Sequence, residues 1–142
     1  MSTILKGLLF FIFSYLIADF FVKYFTIGLL PDTLILSLYG NEEEYIDPMS
    51  VSSFLEFWHV EIFFIMMILL TLSAIYIRTV SNVKNYKFAL NLVMISSLIS
   101  LVTLPLAFYI SSHFVYIYFI TYILWHLGAL QMTLRSLWKL YA

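Results

Sequence analysis

Five charged or histidine side chains lie well inside long apolar stretches of this sequence, away from the ends, where a charge is costly. They are Asp19, Lys23, His59, Glu61 and His126. A charged group at the centre of a membrane span costs about 2.5 to 3.5 kcal/mol on insertion scales, so each is a candidate for function. The chemistry open to this set is ion pairing, proton transfer, or ligation of a cofactor by imidazole.

The separation of these charges from the flanking cations along the chain predicts their depth. Lys23 follows Lys6 by as many positions as Arg78 follows Glu61. At about 1.5 Å per residue, both side chains are placed roughly 25 Å from the basic flank. We therefore expect Lys23 to contact an acid, either Glu61 on the second span or Asp19 on its own helix.

Asp19 and His126 are placed near one level, since Asp19 follows Lys6 by as many positions as Lys139 follows His126. Two interpretations stay open. In one, Asp19 and Lys23 form an i, i+4 pair that screens its own charge. In the other, these two residues join Glu61 and His126 in a proton pathway, because a buried carboxylate beside a histidine can change charge in place. We expect His126 to face the bundle interior.

The three histidines offer a second kind of chemistry, a b-type haem held by imidazoles. His126 is the favoured ligand because it lies near mid-span and is followed by Gly128 and Ala129, which leave room for a porphyrin face. Pairing His126 with His59 meets an objection, since their depths differ by about 9 to 15 Å. His59 with His113 is the other pairing, nearer the outer surface.

Composition excludes several classes of site. The chain has no cysteine, which removes disulfides, iron–sulfur clusters, thiolate catalysis and covalently attached haem. No pattern of nucleophile and base and no complete set of metal ligands occurs, so we predict no catalytic residue and no metal site. A net charge of -1 gives no basic surface for nucleic acid.

The elements that must position these residues are predicted to be membrane-spanning helices. Of the 142 residues, 63% are hydrophobic and 11% are charged, whereas soluble proteins are about half apolar and a quarter charged. The mean hydropathy is +1.00. Four runs are long enough to cross a hydrocarbon core of about 30 Å, where the backbone must be helical because it finds no water. They cover roughly residues 5–28, 54–77, 88–110 and 114–137.

The sequence therefore predicts an all-α, integral membrane four-helix bundle that forms one domain over residues 1–142. Apart from Lys23, the Lys and Arg residues lie near the N-terminus, around the connection between the second and third spans, and near the C-terminus. By the positive-inside rule both termini are cytoplasmic. The connection between the first two spans is acidic and lacks Lys and Arg, as expected of an outer loop. A bacterial cytoplasmic membrane is the expected location.

The first connection is predicted to contain a short interfacial helix. Pro31 begins an apolar stretch that Gly40 ends, which is the order typical of a helix start and stop. Ser53 and Glu56 have the spacing of a capping box, in which each side chain bonds a free backbone N–H. This spacing predicts that the second span begins at Ser53.

The pairing of the spans is predicted from their connections. The last connection, residues 111–113, is so short that the third and fourth spans must be antiparallel neighbours. We expect the first and second spans to pair likewise. Ser96, Ser100 and Thr103 form a stripe of small residues that permits close helix packing, and Pro105 removes one helix hydrogen bond.

Two functions are favoured, and an intramembrane enzyme ranks below both because the sequence offers no arrangement of nucleophile and base. The first is a non-catalytic accessory subunit, or a haem b electron-transfer component, of a membrane complex. The second is a transporter or proton-pathway protein that uses the intramembrane Asp19, Lys23, Glu61 and His126. The expected partners are the lipid bilayer and either other membrane subunits or further copies of the chain, with no nucleic acid.

Overall fold

The computed structural model describes residues 2–80 and 83–141. Within these ranges the chain forms helices and no strand beyond a single bridge between Asn41 and Ile46. The helices are α1 (Ser2–Thr26), α2 (Pro31–Tyr39), α3 (Val51–Thr79), α4 (Val83–Tyr109) and α5 (Phe114–Tyr141), with one 3-10 turn at Glu42–Glu44. All but α2 are long and apolar enough to cross a membrane. The protein is thus an integral, multi-pass membrane protein with a four-helix bundle, as predicted.

The two ends of the bundle differ in charge. The basic end carries the first turn of α1 and the last turns of α3 and α5, and it is closed by Lys6, whose Nζ lies 4.0 Å from the centre of the Tyr141 ring. The acidic end carries α2 and the Glu42–Glu44 turn. Trp138 and Tyr141 are exposed at the basic end, where aromatic rings suit a membrane interface.

The acidic end is covered by α2, which forms where it was predicted. Its first residue is Pro31, and it ends at Gly40, whose φ of 72° is rarely adopted by residues that have a Cβ. Leu34 and Leu38 form the buried face of α2. The Tyr39 hydroxyl donates a hydrogen bond to the Ala107 carbonyl near the end of α4. Burial raises the pKa of Tyr39, so this hydroxyl remains a donor at neutral pH.

The start of α3 corrects the predicted capping box. The helix begins at Val51, two residues before the predicted start, and Ser50 Oγ accepts the Ser53 N–H at 3.1 Å. Ser53 is therefore inside the helix, and Glu56 is an exposed residue of its second turn. The sequence is compatible with this cap because Ser50 precedes Ser53 by three residues, the same spacing as between Ser53 and Glu56. A serine at that position can accept a free backbone N–H of the first helical turn.

Helices α4 and α5 are antiparallel neighbours, as their short connection predicted, and they form the most extensive helix pair. Gly128 permits a close approach, since a Cβ built there would lie 2.5 Å from Val93 Cγ2. Ser96, Ser100 and Thr103 are buried. Ser96 and Thr103 donate to carbonyls of their own helix. This stripe therefore serves packing.

The main neighbour of α1 is α5, which corrects the expectation that the first two spans pair. Leu9, Ile12 and Leu16 form the buried stripe of α1. Helix α1 packs more extensively against α5 than against α3. The long connection between α1 and α3, which includes α2, imposes no adjacency, so the apolar stripe decides the neighbour. A groove remains between α1 and α3.

Pro105 has a specific consequence inside α4, which continues through it. Proline lacks an N–H, so the carbonyl of Leu101 loses its partner within the helix. The Trp58 indole Nε1 of α3 donates to that carbonyl at 2.9 Å. The Leu101 carbonyl, which has no partner within α4, thus bonds α4 to α3.

Candidate functional site

The candidate site is a cluster of charged side chains between α1, α3 and α5. Lys23 Nζ lies 3.1 Å from Asp19 Oδ2 and also contacts Glu61 Oε1. The whole Lys23 residue is only 1% exposed. The predicted contact of Lys23 with an acid is confirmed, and it involves both candidates at once. We call Asp19, Lys23, Glu61 and His126 the buried network.

The local structure explains why these groups meet. Asp19 and Lys23 are one helical turn apart and therefore share a face of α1. Glu61 belongs to the buried face of α3, which continues with Ile65, Ile68 and Leu72 at helical spacing. Each carboxylate is thus brought to the same ammonium by an otherwise apolar helix face.

Aromatic residues of α5 complete the surroundings of Lys23. The Tyr122 hydroxyl donates to Asp19 Oδ2 at 3.1 Å. Lys23 Nζ lies 4.3 Å from the centre of the Tyr122 ring and 5.9 Å from that of Trp125, distances at which a cation is attracted to an aromatic face. Helical spacing predicts that Tyr122 shares the face of His126, which was expected to be the packed or cofactor-binding face. Sequence reasoning did not predict the hydrogen bond of Tyr122 to Asp19.

His126 joins the network from α5. It faces the bundle interior, as predicted, and is 3% exposed. Its Nε2 lies 2.7 Å from the Leu16 carbonyl oxygen. Because a carbonyl can only accept, Nε2 carries the hydrogen and donates it. The other nitrogen, Nδ1, lies 3.8 Å from Asp19 Oδ2 and has no hydrogen-bond partner among the described residues.

His126 Nδ1 and Asp19 Oδ2 face each other without a proton between them while the imidazole is neutral. In the neutral imidazole, Nδ1 presents a lone pair to a carboxylate oxygen that is also an acceptor. A proton on either atom would turn this contact between two acceptors into one between a donor and an acceptor. A hydrogen bond between the two atoms would also require them to approach, since 3.8 Å is longer than a hydrogen bond.

A groove of about 330 Å³ leads from the side of the bundle to the network. It lies between α1 and α3, and its apolar walls end on the three charged side chains. Its lining includes Tyr15, Asp19, Lys23, Thr26, Glu61 and Phe64. The groove is large enough to admit water molecules next to the carboxylates.

The basic side of the network is closed by apolar packing. Leu9, Ile12, Leu69, Leu72 and Met132 are buried in the bundle core. Further toward the basic end, Thr79 Oγ1 donates to Ser136 Oγ at 3.1 Å. Ser136 lies almost three helical turns beyond His126 on α5, which corresponds to about 15 Å along a helix. The described conformation thus separates the network from the basic end.

The other two predicted histidines do not join His126. His59 is exposed on α3, and His113 is exposed in the connection before α5. Both can be hydrated near the acidic end without a cofactor.

The surroundings of His126 do not fit a haem. Its Nε2 is taken up by the Leu16 carbonyl. Val93 packs directly against Gly128, so a porphyrin face cannot lie against the backbone at that residue. The cavity next to His126 measures about 210 Å³ and contains no second histidine in its lining. In this arrangement His126 is therefore not free to ligate a haem.

A comparison with known protein families places this chain in a family of membrane domains. Residues 28–142, which include α2 to α5 but not α1, match the model of a family described as a transmembrane helical domain, Aq_1264_TM. No curated protein and no solved structure matches the chain significantly. Since the match covers more than half of the chain, the protein belongs to the Aq_1264_TM family of transmembrane helical domains.

Proposed function

We propose that this protein takes up and releases a proton at the buried network and that this exchange moves protons across a bacterial cytoplasmic membrane. The observation that carries the proposal is the contact of His126 Nδ1 with Asp19 Oδ2 at 3.8 Å, in which both atoms are acceptors while the imidazole is neutral. Histidine is the side chain whose charge changes most readily near neutral pH.

The charge count of the network supports the proposal. Two carboxyl groups surround one ammonium, so with both of them ionised and His126 neutral the cluster would carry one more negative than positive charge. An uncompensated charge in a water-poor interior is costly. One added proton, on His126 or on a carboxyl group, makes the network neutral. The network therefore favours binding of a single proton.

The two sides of the network suggest a carrier and not an open pore. The groove between α1 and α3 opens at the side of the bundle and reaches the carboxylates; in this proposal water and protons enter along it past Thr26 and Phe57, the part of its lining nearest the acidic end. The apolar layer that includes Leu72 and Met132 blocks a continuous path to the basic side. Release on the basic side thus requires a movement, and α1 is the helix best able to make it because only 17% of its span is buried.

The first experiment measures proton binding directly, without knowledge of a transported substrate. Infrared difference spectra of the purified protein between two pH values report carboxyl protonation, and nuclear magnetic resonance of labelled histidine reports the imidazole. We expect a signal from the wild type that Asp19→Asn and His126→Ala both remove or shift. Glu56→Gln is the matched control, because Glu56 is an exposed carboxylate on α3, and it should leave the signal unchanged. An unchanged signal in Asp19→Asn would overturn the proposal.

The second experiment measures proton movement in sealed vesicles that contain the protein and a trapped pH-sensitive dye. A pH difference across the membrane should dissipate faster than in empty vesicles, and His126→Ala should remove the difference. His113→Ala is the matched control, since His113 is an exposed histidine outside the network. An optical spectrum of the same preparation tests the haem expectation, because a Soret band would show that the protein binds haem.

A further inference from the structure

A second cavity lies near the basic end, between α4 and α5, and has a volume of about 300 Å³. One side is apolar and belongs to α4, while the other carries two polar side chains of α5. The cavity is lined by residues that include Phe88, Ala89, Val93, Gly128, Gln131 and Arg135. It shares no residue with the groove that reaches the buried network. We call this cavity the basic-end crevice.

Helical spacing explains the two-sided character of the basic-end crevice. Gly128, Gln131 and Arg135 are three and four residues apart, so they follow one face of α5 toward the basic end. Gly128 leaves this face without a side chain at the inner end of the crevice, where only Val93 reaches across. The crevice is therefore apolar at its inner end and cationic at its outer end.

The charge distribution of the chain leaves this cation without an acidic partner. All eight Asp and Glu residues lie between Asp19 and Glu61, so α4 and α5 contain no side-chain carboxylate. Six of the seven Lys and Arg residues, by contrast, flank the spans at the basic end. The counter-charge for Arg135 must come from outside the side chains of this protein. A bilayer surface supplies it as lipid phosphate.

We propose that the basic-end crevice binds an anionic phospholipid of the leaflet at the basic end. The Arg135 guanidinium would pair with the phosphate, and the Gln131 amide would donate a further hydrogen bond. Arginine suits this task because its planar guanidinium binds phosphate through two parallel N–H groups. One acyl chain would lie along Phe88 and the apolar side of α4. Basic pockets between membrane helices on the cytoplasmic side are typical of such sites.

The test compares lipid retention by the purified full chain in detergent. Phosphatidylglycerol or phosphatidylcholine is added in equal amounts, and native mass spectrometry counts the lipid that stays bound. We expect the wild type to retain phosphatidylglycerol preferentially. Arg135→Gln should weaken this retention about fivefold, the effect of one basic residue near a membrane surface. Arg78→Gln is the matched control, since Arg78 is an exposed arginine of α3 at the same end and outside the crevice.

A second variant tests the apolar side of the crevice while the charge is kept. Ala89→Leu places a larger side chain into the crevice, and it should reduce retention of phosphatidylglycerol although Arg135 is intact. Inorganic phosphate at the same concentration should not displace the lipid, because it lacks an acyl chain. Equal losses in Arg135→Gln and Arg78→Gln would overturn the proposal, since they would indicate a diffuse charge effect. Displacement by inorganic phosphate would overturn it as well, because the site would then be one for a free anion.

Discussion

The attachment of α1 to the bundle and the pairing of α4 with α5 depend on different forces. Helix α4 contacts α5 closely through small residues, with Val93 packed against Gly128. Helix α1 has one narrow apolar stripe and a set of charged contacts that centre on Lys23. The share of each span that is buried is 44% for α4 but 17% for α1.

This difference separates a fixed part of the molecule from an adjustable one. Close packing of small residues hardly depends on pH, because it involves no charge. The attachment of α1 does depend on charge, because it runs through two carboxylates, an ammonium and a histidine. A proton added to the network therefore changes how strongly α1 is held, while α4 and α5 keep their arrangement.

The largest expected effect is that of Lys23→Met. The change leaves Asp19 and Glu61 buried without their shared cation, and removal of one partner from a buried ion pair costs about 3 to 5 kcal/mol. The free energy of unfolding, measured by denaturing detergent in mixed micelles and followed by tryptophan fluorescence, should fall by that amount. The loss should shrink at lower pH, because protons can then neutralise the carboxylates in the folded protein.

The control for this prediction is Lys139→Met. Lys139 is an exposed lysine of the last turn of α5, and we expect its removal to change the free energy of unfolding by less than about 0.5 kcal/mol. Equal effects of the two variants would show that the buried ion pairs do not hold α1.

The next largest effect should come from Gly128→Leu. The new side chain meets Val93, since even a Cβ at this position would lie 2.5 Å from Val93 Cγ2. Overpacking of a close contact costs about 1 to 3 kcal/mol, which the same detergent titration measures. Gly7→Leu is the matched control, because nothing lies within 4 Å of a Cβ built on Gly7 in α1. If Gly7→Leu were the more damaging change, α1 and not α4 with α5 would be the tightly packed region.

Trp58→Phe should have a smaller effect, about 1 kcal/mol, the net contribution of one hydrogen bond. The change leaves the Leu101 carbonyl without its indole donor at a point where Pro105 supplies no N–H. In a Pro105→Ala background the helix regains that N–H, so Trp58→Phe should cost less there. A double-mutant cycle measures this coupling. Strict additivity of the two changes would contradict the assignment of Trp58 as the substitute donor.

The smallest effect is expected for Tyr39→Phe. It removes the hydroxyl that bonds the Ala107 carbonyl, but Tyr39 is 41% exposed, so water replaces part of the loss. We expect a loss of about 0.5 kcal/mol and faster amide hydrogen exchange in α2, measured by mass spectrometry. Tyr45→Phe is the control because Tyr45 is 96% exposed, and it should leave the exchange of α2 unchanged.

Much of the architecture could be predicted from the sequence because the bilayer imposes simple rules. Apolar runs of sufficient length predicted four helices, and the positions of Pro31 and Gly40 predicted α2. The contact between Lys23 and Glu61 was predicted by counting from the basic flanks, since a helix rises by a constant amount per residue. This method gives depth along the membrane normal and nothing about direction within the membrane plane.

The features that could not be predicted depend on that missing direction. Hydropathy does not tell which neighbour a helix chooses, so the packing of α1 against α5 was missed. The hydrogen bond of Tyr122 to Asp19 was missed for the same reason, because the hydroxyl reaches Asp19 only when α5 lies beside α1. The cap at Ser50 was missed because two serines with the same spacing compete for one role. The groove between α1 and α3 results from the packing of α1 against α5, so the sequence could not predict it either.

The contacts of Asp19 also bear on how the protein is made. Asp19 enters the membrane with the first helix, but Tyr122 and His126, which approach its carboxylate, belong to the last. During synthesis the chain must therefore insert α1 with an unfinished set of polar contacts and keep it until α2, α3, α4 and the first half of α5 have been translated. Although α1 is translated before α5, its polar contacts are complete only when α5 is in place, so its final packing depends on helices that are made after it.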